Sequence, residues 1–121
     1  MQLYSKPAMP KKSPRRKMSA QALELVAQRF KVLGEPTRLR LLVALEAGEQ
    51  NVTSLVEAAQ STQANVSKHL GILLDAGMVS RRKEGLNAFY LIADPRLFEL
   101  CDLMCRRLEQ EFAKKKSHFR K

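Results

Sequence analysis

From Ser19 onward the apolar residues recur at intervals of three and four. Leu23, Val26, Ala27, Phe30 and Leu33 predict a first helix over residues 20–33, capped by Ser19 and broken by Gly34. Pro36 suits the first turn of a second helix, where its missing N–H costs nothing, and Gly48 follows its end at about Ala47. Leu39, Leu41, Leu42, Val43, Ala44 and Leu45 wrap most of that helix, which predicts a buried central position, while Arg38 and Arg40 read as solvated charges. Residues 49–52 form a polar link with room for a minimal strand. A third helix, about Thr53 to Ala59, offers Leu55, Val56, Ala58 and Ala59 for packing, and Gln60 and Ser61 lead tightly into a fourth.

That fourth segment, Ser61 to Gly77, is the stretch around which the chain is organised. Ser61 or Thr62 caps it, Val66, Leu70, Leu73 and Leu74 mark its apolar face, and Gly77 ends it. Ala64, Asn65, Ser67, Lys68 and Gly71 fall away from the stripe, with Gln63 and His69 on its flanks. The open side therefore carries small residues, amides, hydroxyls and one cation, with no carboxylate before Asp75. Such a face fits a DNA major groove: small residues allow close approach, amides read base edges and the cation meets phosphate. Two short helices joined by a tight turn make a helix-turn-helix, whose second helix is the groove reader.

After Gly77 the period changes. Met78–Lys83 and Asn87–Ile92 are rich in strand formers, and Glu84-Gly85-Leu86 separates them as a hairpin tip. Arg81, Arg82 and Lys83 lie at its base, where they either anchor a wing on phosphate or merely protect an exposed strand edge. Asp94-Pro95 opens a last helix reaching about Ala113. Leu97, Leu100, Cys101, Met104, Cys105, Leu108 and Phe112 give it more apolar surface than so small a core needs. The pattern thus predicts a mainly α chain with a small β-hairpin (α+β), a winged helix-turn-helix that dimerises through its first and last helices.

Charge adds the nature of the partner. The chain has 121 residues, with 22 basic and 12 acidic side chains. Residues 1–18 hold six cations, three prolines and no acid, and read as a basic disordered arm; residues 114–121 read as a basic C-terminal tail. Between them the domain, 19–113, has eleven basic and twelve acidic residues, a net charge of −1. The tails therefore carry the excess, which favours a polyanion, nucleic acid before anionic membrane; the plain alternative is a pair of solvated ends that keep the protein soluble. No apolar run approaches a membrane span, the N-terminus lacks the apolar region of a secretory signal, and two cysteines make no disulfide framework, so a cytoplasmic setting is the expectation.

The segments F-K-V-L-G-E-P-T-R-L-R-L-L (30–42), V-S-K-H-L-G-I-L-L-D-A-G-M-V (66–79) and R-R-K-E-G-L-N-A-F-Y (81–90) resemble the ArsR/SmtB family of winged-helix repressors, over about residues 20–112. The resemblance implies a homodimer on a palindromic operator, released by an inducer that is often a metal ion or metalloid. The family's ligand positions are changed here. Asn51, Val52 and Thr53 stand where arsenic-type members have C-V-C. At the zinc-type positions Asp94 is kept, but Arg96 and Arg107 replace histidines and Gln110 replaces an acid. Cys101 and Cys105 remain, four apart on one helical face, as candidates for a thiophilic metal or metalloid inducer or for redox chemistry; the plain alternative is two packed thiols. His118 lies in the basic tail. No phosphate loop, carboxylate pair or metal triad points to an enzyme.

The expected function is therefore a transcriptional repressor. Its DNA-contact candidates are Thr62, Gln63, Asn65, Ser67, Lys68 and His69 on the helix and Arg81, Arg82 and Lys83 on the wing. The rival from another class is a winged-helix module for protein or RNA, which has no operator specificity.

Overall fold

The computed structural model describes residues 16–113; the expected arm, apart from its last three residues, and the tail with His118 lie outside the described residues. Five helices and three strands follow one another as α1 (Ala20–Leu33), α2 (Pro36–Glu46), β1 (Gln50–Asn51), α3 (Val52–Ala59), α4 (Gln63–Asp75), β2 (Val79–Glu84), β3 (Asn87–Ile92) and α5 (Leu97–Glu111).

Local chemistry sets most of the boundaries. Ser19, Asn51 and Thr62 each accept a hydrogen bond from a first-turn N–H of α1, α3 and α4 respectively, and the Glu35 carboxylate does the same for α2, ahead of Pro36 in its first turn. The Asn51 cap starts α3 one residue before the expected Thr53. Gln60 closes α3 in the left-handed conformation at φ 52°, making the tight turn into Thr62. Gly77, at φ 74°, ends α4, with its N–H and that of Met78 bonded back to Leu74 and Leu73. Asp94–Arg96 form a turn, so α5 begins at Leu97, slightly later than Asp94-Pro95 implied.

β3 is the central strand of a three-stranded antiparallel sheet in the order β1-β3-β2. Val79 pairs with Ile92 and Glu84 with Asn87, leaving Gly85 and Leu86 as the tip of the hairpin. The two-residue β1 pairs Gln50 with Tyr90 and Asn51 with Phe89, which ties the start of the helix-turn-helix to the wing.

The core is one cluster. Leu41, Leu42 and Leu45 of α2 meet Leu55 and Ala59 of α3, Val66, Leu70 and Leu73 of α4, and Val79 and Tyr90 of the hairpin. α2 is central as expected, yet its apolar wrap is not wholly buried: Val43 is 62% exposed. A domain of this size has too few layers to cover every side of a helix. α1 and α5 join the core only at their near ends, through Val32 and Leu33 and through Leu97 and Phe98. Neither has a buried residue. Leu23, Leu25, Val26 and Phe30 on α1 and Leu100, Leu103 and Met104 on α5 are all exposed.

Candidate nucleic-acid interface

α4 is seated on the core by Val66, Leu70 and Leu73, so its other side faces outward. Thr62, Gln63, Ala64, Ser67 and Lys68 are exposed there. Asn65 is half-buried, its amide nitrogen donating to Ser61 Oγ at 2.9 Å. The Thr62 hydroxyl accepts from the Asn65 N–H at 3.1 Å, so it serves first as the helix cap.

His69 departs from the expectation. It is 6% exposed and faces inward, its Nδ1 2.9 Å from Arg38 Nη1. Its position in the helix explains this: it stands three residues after Val66 and four before Leu73, within the apolar stripe. It therefore does not face the groove, contrary to its place among the expected DNA contacts. Arg38, its partner, also differs from the expectation. Its guanidinium is not a solvated charge, for it also donates to the Val32 carbonyl at 2.7 Å and the Lys31 carbonyl at 3.5 Å.

The wing separates its three cations. Strand alternation puts Arg81 and Lys83 on the face that begins with Val79, and Arg82 on the other. Arg82 is engaged within the chain. It makes a two-pronged pair with Glu49, at 2.8 and 2.9 Å, lies 3.6 Å from Glu84, and stacks over the Phe89 ring at 4.8 Å. The Arg82 hydrogen bonds hold the Glu49 carboxyl below the usual carboxylate range and push the Arg82 guanidinium up. Arg82 thus latches the wing to the loop after α2, while Arg81 and Lys83 are exposed. Because each phosphate contact adds about 0.9 to the salt slope of DNA binding and a dimer carries two copies of each residue, Lys83→Ala should lower that slope by about two and weaken all sequences alike. Arg82→Ala should leave it nearly unchanged. Equal falls in the two variants, read by anisotropy titrations over a salt series, would show Arg82 meeting phosphate.

Residues 35–81, from the start of α2 into the wing, match the family described as "Bacterial regulatory protein, arsR family". An uncharacterised HTH-type transcriptional regulator of Methanocaldococcus jannaschii is 42% identical over 82 residues, covering 67% of this chain and 92% of the relative. The chain belongs to the arsR family of regulatory proteins. A probable mercury resistance operon repressor of Streptomyces lividans is 40% identical over 77 residues, 64% of this chain and 62% of that protein, so the match spans under two thirds of that relative. The solution structure of a homodimeric winged helix-turn-helix DNA-binding domain from Mycobacterium bovis superposes with a TM-score of 0.68 at 30% identity, covering 91% of this chain and all of that one. These relatives are regulators rather than enzymes.

In this arsR-family regulator Asn51, Asp94, Arg96 and Arg107, at the family's ligand positions, are engaged within the chain. Asn51 caps α3 by accepting from the Ser54 N–H at 2.9 Å. Asp94 pairs with Arg96 at 2.8 Å and accepts its backbone N–H, which lowers the Asp94 carboxyl to about 2. That depressed value means the pair's stabilisation is complete at neutral pH and fades only as pH falls from about 4 towards 2. Arg107 reaches Glu111 at 3.1 Å. On α5, Cys101 is half-buried and Cys105 exposed. Burial pushes the Cys101 thiol up, helped by Cys105, Asp102 and Glu46. Among the described residues no three His, Cys, Asp or Glu side chains gather to hold a metal ion, and no helix is long and apolar enough to cross a membrane.

Proposed function

We propose that this regulator is a homodimeric repressor acting in the cytoplasm on palindromic operator DNA. The observation that carries the reading is the exposure of Gln63, Ser67 and Lys68 on α4, a helix seated on the core by its other face, together with that of Arg81 and Lys83 on the wing that follows it. Gln63 and Ser67 supply base-edge hydrogen bonds, with Asn65 as a partly engaged third group. Lys68, Arg81 and Lys83 neutralise phosphate.

A second copy is the fitting occupant of the α1 and α5 faces. Isolated helices of 14 and 15 residues are marginal in water, and these two have almost no burial within their own chain. The homodimeric relative, matched over 91% of this chain, supports the same occupant. Cys101 and Cys105 lie on α5, so a thiophilic metal, metalloid or oxidant captured there would act next to the dimer contact. Cys105, the more exposed sulfur, would meet such an inducer first.

Selection from random-sequence duplex DNA tests the proposal. Wild-type protein should recover a palindrome, with half-sites about one helical turn apart. Gln63→Ala should relax base preference at one position of each half-site by about 1–3 kcal/mol. A pool that stays random after repeated rounds would remove the operator reading, and an unchanged palindrome with Gln63→Ala would remove that residue from base readout.

A further inference from the structure

His69 is the buried polar side chain of the core, and it belongs to the helix whose other face carries the candidate base readers. Its partner, Arg38, sits in the first turn of α2 and touches two further places at once. Nε and Nη2 of the guanidinium donate to Val32 and Lys31 carbonyls in the last turn of α1, while Nη1 donates to His69 Nδ1 on α4. The Val32 carbonyl belongs to the terminal set that lacks helical partners, so it is a natural acceptor, and the Lys31 carbonyl is shared with the Gly34 N–H at 3.2 Å. The backbone of Arg38 is fixed too, because its N–H is held by the Glu35 carboxylate at 3.0 Å. One rigid planar fork therefore joins α1, α2 and α4.

We infer that Arg38 and His69 are positioning residues that set the rotation of the recognition helix relative to α1, and through the dimer the separation at which two half-sites are read. This inference rests on the operator-binding homodimer proposed above. The apolar contacts of Val66, Leu70 and Leu73 fix how deep α4 sits, but burial is non-directional. A hydrogen bond weakens steeply as its angle departs from linear, so the Arg38–His69 bond resists rotation about the helix axis. Such a rotation would swing Gln63, Ser67 and Lys68 across the groove. α1 carries an exposed apolar face, so a guanidinium held on its last turn refers the recognition helix to the dimer contact. Lysine has no fork and would not span these acceptors.

The test uses the palindrome selected by the wild-type protein, remade with half-site separations one base pair shorter and one and two longer. Binding of full-length protein to each duplex is read by fluorescence anisotropy, with dimer mass and thermal unfolding measured alongside. Wild-type protein should lose at least about tenfold in affinity at each displaced spacing, because both half-sites can no longer be engaged together. Arg38→Met and His69→Leu should flatten this discrimination to within about threefold, whatever they do to the melting temperature. His69→Asn, which keeps an acceptor oxygen near the former Nδ1, should restore part of it. A sharp wild-type profile kept by both Arg38→Met and His69→Leu would overturn the inference; if Arg38→Met does not fold, His69→Leu, an apolar side chain placed in a buried site, decides alone. A wild-type profile that is itself flat would instead overturn the operator-dimer reading, and this inference with it.

Discussion

Leu103→Glu is expected to convert the protein into a folded monomer that no longer grips an operator. Leu103 lies on α5 and is 67% exposed in the single chain, so the substitution touches no core contact and changes the stability of the monomer by less than about 0.5 kcal/mol. In a dimer built on α1 and α5 the same carboxylate would be buried without a partner, which costs several kcal/mol. Light scattering should therefore give the mass of one chain, 13.7 kDa, in place of two. Operator affinity should fall by about 10²–10⁴, because the second half-site is no longer delivered by the same molecule. A dimer that survives Leu103→Glu would move the interface elsewhere.

Leu70→Ala is the second large effect, on stability. Leu70 is fully buried and lies where α4 meets α2, α3 and the hairpin. Removing three carbons there should cost about 2–5 kcal/mol, depending on how far the surroundings collapse. For a domain of about 100 residues each kcal/mol shifts the melting temperature by about 4–8 °C, so a fall of well over 10 °C is expected in a thermal scan. Ser67→Ala, three residues earlier but exposed, should move it little. Similar losses for the two would mean that α4 does not sit on the core through Leu70.

Periodicity made the helices legible because each has an apolar stripe and a capping residue within a few positions. The hairpin was legible because Gly77 and Gly85 mark abrupt changes of period. The bonds that orient these elements were not legible. Arg38 meets His69 across 31 residues of sequence and Arg82 meets Glu49 across 33, and no local pattern links such pairs. His69 did leave a signal, its spacing from Val66 and Leu73, which places it in the stripe more firmly than on the flank. Arg82 left another: it alternates away from Arg81 and Lys83 once the strand register is drawn. The surplus apolar surface of α5 was visible in sequence. That α1 and α5 hold to the core only at their near ends came from the structure, and it strengthens the case for a second copy more than any motif does.

Preference of α4 and the wing for a particular duplex over other polyanions is the property on which the repressor reading depends. It is tested most directly by fluorescence anisotropy of the reduced, full-length protein on the DNA upstream of its own gene. The control is scrambled DNA of equal length, with both measured at two salt concentrations so that the tails' contribution is separated. The protein should prefer the upstream DNA by about a thousandfold or more, and the preference should persist at the higher salt. Equal binding to both duplexes, falling steeply with salt, would contradict it and leave the basic termini as the source of affinity.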